Sequence, residues 1–117
     1  MNKITTLSDD SDQTMGFLLA DGSQVQFTFH YKLTVQRWFV DVSYKTFKAQ
    51  NIGLSTHPNL LRVWRNTLPF GLLVWTADST DPFMLEDFVS GRVMLYVLDS
   101  TNGGTDVADI ERQYYGG

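Results

Sequence analysis

Two stretches of alternating apolar and polar side chains constrain the fold of this 117-residue chain more than any other feature. The apolar members of the first stretch are Val25, Phe27, Phe29 and Tyr31. Those of the second are Trp38, Val40, Val42 and Tyr44. Because successive side chains of a β-strand point to opposite faces, each stretch predicts a strand with one apolar face. The chain is therefore predicted to be mainly β.

The turn before the first stretch predicts how the strands are joined. Asp21-Gly22 separates a short apolar run at residues 15–20 from the alternating stretch. An Asp-Gly pair in this position favours a hairpin, since glycine readily adopts the positive φ that such turns need. With the second stretch, this gives an antiparallel meander of three strands.

Later segments predict further elements with less certainty about their type. Phe47 and residues 52–54 indicate another short strand, where Gly53 marks a bulge or a close approach. Residues 60–65 fit a helix and a twisted strand equally, because the segment is too short for its periodicity to decide. The apolar run Leu72–Trp75 predicts a strand buried on both faces, and residues 92–98 predict the last strand.

One or two short helices are expected near the C-terminal end. The spacing of Met84, Leu85 and Phe88 predicts one helix that ends near Gly91, a C-cap candidate. Its acidic residues, Glu86 and Asp87, are predicted to face solvent. Residues 105–113 predict a second helix, with Thr105 as N-cap. The expected fold is a single small antiparallel sheet or barrel-like domain at residues 14–98, with a polar arm at 1–13 and a tail at 99–117.

Composition excludes several classes of function. Hydrophobic residues make up 43% of the chain, which is enough for one core, and there is no Cys to form a disulfide or a thiolate site. The net charge of −4 argues against a nucleic-acid-binding protein, because such proteins neutralise phosphates with clustered Lys and Arg. Neither a signal peptide nor a membrane-spanning run is evident, so the protein is expected to be cytosolic when made.

The motifs of catalysis and cofactor binding are missing from the sequence. His30 and His57 lie in different elements, and neither has a second metal ligand at a suitable spacing. Gly103-Gly104 follows no strand-to-helix phosphate fingerprint. We therefore expect no catalytic residue, no metal and no cofactor, and we expect that the protein is not an enzyme.

Five residues are candidates for contact with a partner protein. Arg and Trp are enriched at binding hot spots, and aromatic residues on a tail would be exposed unless they dock on something. The candidates are Arg62, Trp64, Arg65, Tyr114 and Tyr115. An alternative for Trp64 is that it closes one end of the core.

The order of several motifs resembles the phage tail baseplate plug family of cyanophages and other contractile-tailed phages. Similarity covers about residues 14–98, and its motifs combine strand and turn segments. They are Arg37-Trp38-Phe39-Val40-Asp41-Val42, Asn59-Leu60-Leu61-Arg62, Leu68-Pro69-Phe70-Gly71-Leu72-Leu73-Val74, Asp87-Phe88 and Gly91-Arg92-Val93-Met94-Leu95-Tyr96-Val97. The acidic N-terminus and the tail lie outside these motifs.

The resemblance implies a structural virion protein that braces the junction of hub, spike and tail tube. It implies no active-site residues, and it suggests that the matching residues determine the fold: a buried Trp38 and turn glycines at Gly22 and Gly71. A homo-oligomer on a three-fold or six-fold axis is expected, because closed rings satisfy exposed strand edges. The alternative function is a stand-alone β-barrel module that binds a small ligand or carbohydrate in an aromatic-lined mouth.

Overall fold

The structure, a computed structural model, describes residues 2–5, 7–64, 67–78, 80–101 and 103–115. Its strands are β1 (Asn2–Lys3), β2 (Asp12–Leu18), β3 (Gln24–Lys32), β4 (Arg37–Tyr44), β5 (Phe47–Gly53), β6 (Phe70–Thr76) and β7 (Val93–Asp99). Its helices are α1 (Asp87–Ser90) and α2 (Asp106–Tyr115), with a 3-10 turn at Arg62–Trp64. The prediction of a mainly β domain with short helices is confirmed.

The strands form two antiparallel sheets. The meander predicted from the alternating stretches extends to four strands in the order β2-β3-β4-β5, and the other sheet has the order β1-β7-β6. The Asp21-Gly22 hairpin is confirmed, and Gly22 has a φ of 88° at the turn. The β4–β5 pairing has a bulge between Val40 and Val42, opposite the segment where Asn51 adopts a φ of 58°.

The core lies between the two sheets. The apolar members of both alternating stretches point inward, and Phe27 and Tyr44 place their rings 6.2 and 5.2 Å from Phe70 of β6. Trp38 is fully buried, as predicted, and its ring lies 4.8 Å from Phe88. The indole Nε1 of Trp38 donates a hydrogen bond to the Met84 carbonyl at 3.0 Å. The polar partner that a buried indole needs is therefore present.

The prediction that Leu72–Trp75 is buried on both faces is wrong. Leu72 and Val74 point into the core, whereas Trp75 is 44% exposed on the outer face. β6 belongs to an antiparallel sheet, and only part of the outer face of that sheet is covered by α2. A continuous apolar run in such a strand therefore produces an exposed apolar stripe.

Gly71 was expected at a turn, but it lies inside β6. A Cβ at this position would overlap the Asn59 side chain, so glycine is required by a close approach and not by its φ. Gly53 likewise lies against the Arg37 guanidinium. The undecided segment at 60–65 forms a 3-10 turn at Arg62–Trp64, and Leu61 anchors it in the core.

Both ends of the chain contact the three-stranded sheet. β1 pairs with β7, and Ile4 is buried. Helix α2 packs against β6 and β7, and Ile110 of α2 is buried. The division into an arm at 1–13, a domain at 14–98 and a tail at 99–117 stays a prediction.

Candidate interaction surfaces

A buried ion pair fixes the loop that leads into β7. The Arg92 guanidinium donates to Asp87 through Nε at 2.9 Å and Nη2 at 2.8 Å. Nη1 donates to Asp78 at 2.8 Å and to the Thr80 carbonyl at 2.9 Å. The guanidinium also lies 4.7 Å from the centre of the Phe83 ring. One side chain thus holds together a loop that has little regular structure.

Asp87 is fully buried, so the prediction that it faces solvent is wrong. Its Oδ2 accepts hydrogen bonds from the backbone amides of Phe83 and Met84, each at 2.8 Å. Burial raises the pKa of Asp87, but the hydrogen bonds from Arg92 and the two amides outweigh this effect and hold the pKa below its usual value. Burial of the carboxylate is tolerated because it is paired and hydrogen-bonded. The helical spacing alone could not show that Arg92 would meet it.

A second cluster lies on the outer face of the four-stranded sheet. His30 of β3 contacts Asp12 of β2 through Nδ1 at 2.8 Å and Asp41 of β4 through Nε2 at 2.7 Å. Asp41 also accepts a hydrogen bond from the Asn51 amide of β5 at 2.8 Å. The hydrogen bonds to Asp12 and Asp41 raise the pKa of His30. All four strands of this sheet are therefore linked through the His30 cluster.

Two of the five predicted contact residues belong to the 3-10 turn, and each is engaged within the chain. Arg62 Nε donates to Glu111 of α2 at 3.0 Å. The Trp64 ring packs edge-on against Phe47, with ring centres 5.6 Å apart, and it contributes to the margin of the core. For Trp64, this supports the alternative in which it closes one end of the core. Arg65 lies outside the described residues.

Among the predicted contact residues whose side chains the structure describes, Tyr114 is exposed, with 56% of its surface accessible. It lies on α2 beside a groove of about 190 Å³, which it lines together with Pro58 and Trp75. Tyr115 ends the same helix, but its side chain lies outside the described residues. The structure thus places Tyr114 next to Trp75, a residue whose apolar neighbours in the sequence predict a core position.

The outer faces of the two sheets differ in chemistry. In the four-stranded sheet, the outer face carries polar side chains such as Gln26, Thr28 and His30. The three-stranded sheet presents an apolar outer face, which we define as Leu73, Trp75, Met94 and Tyr96 with the adjacent Tyr114. Exposed apolar patches on small soluble proteins are typical of protein contacts. The apolar outer face is therefore the main candidate surface.

Two features are absent from the part of the chain that the structure describes. Among these residues, no group of three His, Asp or Glu side chains is placed to hold a metal ion. Neither of the described helices is long and apolar enough to cross a bilayer.

These features define a small antiparallel β-sandwich domain with an apolar outer face. The chain belongs to the family described as "Cyanophage baseplate Pam3 plug gp18", whose model matches residues 1–100. The resemblance noted from the motifs is confirmed, and the match also includes the N-terminal residues before position 14. Helix α2 lies beyond the matched region. A comparison with curated proteins finds no match.

Proposed function

We propose that the chain is a non-enzymatic structural subunit of a contractile phage tail, located in the virion baseplate where hub, spike and tail tube meet. The observation that carries this proposal is the match of a baseplate plug family to residues 1–100. The protein would be made in the host cytoplasm and assembled into the baseplate there. Its work would be to fill and brace a junction between other proteins.

The use of the charged residues supports a structural role. Arg92, Asp87 and His30 are the most strongly hydrogen-bonded ionisable groups described above, and each is occupied by partners within the chain. Their arrangement stabilises loops and sheets. Such a domain acts through its surface, where the apolar outer face offers contact area without a deep cavity.

We assign the main partner contact to Tyr114 and Trp75, with Arg62 at its margin. Aromatic residues contribute large contact areas at low entropic cost, and they dominate binding energies at protein interfaces. Arg62 is linked to the same helix through Glu111, so it extends the surface on one side of α2. Arg65, Tyr115 and Trp64 remain proposed contributors to partner binding. Copies arranged on a three-fold or six-fold axis would match the symmetry expected of a tail hub.

A co-purification experiment tests the proposal. The chain would be co-expressed with the hub, spike and tail-tube proteins encoded near it, and the retained complex would be measured. We expect the double variant Trp75→Ala and Tyr114→Ala to weaken retention by about a hundredfold, as for two hot-spot residues of about 1–2 kcal/mol each. The thermal unfolding of the isolated variant should stay close to that of the wild type, since both side chains are exposed.

The matched control removes exposed apolar side chains at the far end of the β3–β4 hairpin. Leu33 and Val35 are 74% and 58% exposed, and neither lines the groove. Leu33→Ala with Val35→Ala should leave retention unchanged. Wild-type chain that is absent from every complex with the three baseplate proteins would contradict the proposal.

The alternative of a ligand-binding module has one observation in its favour: Trp75 and Tyr114 both line a groove. The groove measures about 190 Å³ and lies on the outside of a sheet, whereas small-molecule sites usually enclose about 300–1,000 Å³. Titration of the isolated chain with oligosaccharides, followed by tryptophan fluorescence, distinguishes the two functions. Saturable quenching that Trp75→Ala abolishes would favour the binding module.

A further inference from the structure

The outer edge of β2 has no strand partner among the residues that the structure describes. β2 is the first strand of the order β2-β3-β4-β5, and in the described residues its only strand partner is β3. The Tyr31 amide bonds to the Ser11 carbonyl, and the Leu19 amide to the Ser23 carbonyl. In an antiparallel pair, residues alternate between bonding to the partner strand and facing away from it. The backbone groups of the odd-numbered residues of β2 therefore bind β3.

It follows that the even-numbered residues of β2 present their amides and carbonyls outward. The positions concerned are Asp12, Thr14, Gly16 and Leu18. Such a row of free donors and acceptors is a template for another strand. Native proteins usually block these edges with Lys, Pro or a bulge, and β2 contains none of them.

The opposite edge of the same sheet is blocked. β5 carries an exposed Lys48, and the bulge beside Asn51 interrupts its regular pairing. The difference between the edges shows that the sheet is protected on one side and left open on the other. An open edge that is retained in a folded domain indicates a strand partner in the assembled state.

We propose that β2 accepts an extended strand from another baseplate subunit, by addition to the four-stranded sheet. The inference rests on the proposed baseplate role and specifies one contact within it. The chemistry of β2 defines the strand that fits. Asp9, Asp10 and Asp12 form an acidic end, and Leu18, which is 66% exposed, forms an apolar end. The incoming strand carries basic side chains beside the aspartates and apolar side chains beside Leu18.

A second copy of the chain is a poorer occupant of this edge. In the two-fold antiparallel arrangement that pairs the whole of β2 with itself, Asp12 lies opposite Leu18 of the other copy. Residues 7–18 contain three Asp and no Lys or Arg, so a copy supplies no positive charge for the acidic end. Charge complementarity thus favours a different protein.

Two variants at Gly16 test the contact through the backbone. Gly16→Pro removes an outward amide and fills its position with the ring, while the bonds from β2 to β3 are retained, because edge strands tolerate proline. Gly16→Ala is the matched control, since it keeps the amide and its Cβ would meet only Gln24 at an ordinary 3.4 Å. We expect Gly16→Pro to weaken retention by the co-expressed hub, spike and tail-tube proteins by about tenfold or more, and Gly16→Ala to leave it unchanged.

Amide hydrogen exchange gives an independent measure with the wild-type chain. In the free protein, the amides of Thr14, Gly16 and Leu18 should exchange rapidly, while those of Met15 and Phe17 are protected. In the complex with the baseplate proteins, the outward amides should also become protected. The inference is overturned if the outward amides still exchange rapidly in the complex, or if Gly16→Pro is retained like the wild type. Either result leaves the baseplate role intact. Protection of these amides by self-association alone also overturns it, and absence of any complex overturns both proposals.

Discussion

Two clusters of charged side chains share one design and differ in burial. Arg92 lies between the carboxylates of Asp87 and Asp78, and His30 lies between two aspartates of neighbouring strands. Contact distances in both clusters are 2.7 to 2.8 Å. The Asp87 side chain is fully buried and that of Arg92 is 13% exposed, whereas the exposed fraction of the His30 side chain is 29%.

The difference in burial decides what each cluster does. A buried charge that loses its partner is left in a poorly solvating environment, so the pair must be complete for the domain to fold. A charge at the surface is solvated by water when its partner is lost, and it contributes little. The Arg92 cluster should therefore determine the fold, while the His30 cluster should only adjust its stability.

Removal of the buried carboxylate tests the stronger half of this comparison. Asp87→Ala leaves the Arg92 guanidinium without its main partner and the amides of Phe83 and Met84 without acceptors. We expect a loss of about 3–5 kcal/mol in the free energy of unfolding, measured by urea denaturation. The pKa of Asp87 is lowered in the folded state from its ordinary value of 3.8. The stabilisation by the ionised carboxylate is therefore present when the pH is above that ordinary pKa, and it is lost as the pH falls through the folded pKa.

The control for this prediction is the exposed partner of the same guanidinium. Asp78 has a side chain that is 54% exposed, and it contacts Arg92 at 2.8 Å. Asp78→Ala should change the urea midpoint only slightly. If Asp78→Ala were as destabilising as Asp87→Ala, burial would not be what distinguishes the two clusters.

A neutral buried side chain should fall between the two clusters. Asn59 is 1% exposed, and its Oδ1 accepts hydrogen bonds from the amides of Leu61 and Leu72, each at 3.1 Å. Asn59→Ala leaves both amides unsatisfied, which should cost about 2–3 kcal/mol. This loss is at the lower end of the range expected for two unsatisfied buried donors. The reason is that Asn59 Nδ2 has no hydrogen-bond partner in the described residues, so its removal carries no penalty.

Thermal unfolding with a matched variant checks the Asn59 prediction. Gly71→Ala places a Cβ against the Asn59 side chain, so it should destabilise the wild type. In the Asn59→Ala background the space is vacated, and the same glycine substitution should then be nearly neutral. Additive effects of the two substitutions would contradict the direct contact.

Alternation made the sheets predictable from the sequence. Each of the residues Phe27, Phe29, Trp38 and Val40 is fully buried, as the period of two required. The order of the meander followed from the short turns, because residues close in the chain pair most easily. In contrast, the split into two sheets depends on contacts between Phe70 and the meander, which no local pattern contains.

The candidate surface was only partly predictable, for a related reason. Tyr114 was identified from its aromatic character on a polar tail, whereas Trp75 was assigned to the core because its neighbours are apolar. The burial of Trp75 depends on how far α2 extends over the sheet, which is a tertiary property. The Asp87–Arg92 pair shows the same limit: both residues lie in the family motifs, yet their contact could be recognised only in the folded chain.

The pH dependence of stability tests the weaker cluster, and it gives the smallest expected effect. The hydrogen bonds to Asp12 and Asp41 raise the pKa of His30 above its ordinary value of 6.5. Burial raises the pKa of Asp41, but the hydrogen bonds from the Asn51 amide and from His30, together with the charges of His30 and Lys32, outweigh this effect and lower it. Because the pKa of His30 is raised in the folded state, protonated His30 stabilises the fold. This stabilisation is fully present below the unfolded pKa and disappears as the pH rises through the folded pKa. We expect the free energy of unfolding to fall by about 1 kcal/mol or less between about pH 6 and pH 9.

His30→Gln should remove this pH dependence of the free energy of unfolding, measured by urea denaturation across the same range. A pH dependence that persists in His30→Gln would come from another group. A slope of several kcal/mol that His30→Gln abolishes would mean that the surface cluster behaves like the buried one, and solvation could not explain the contrast between them.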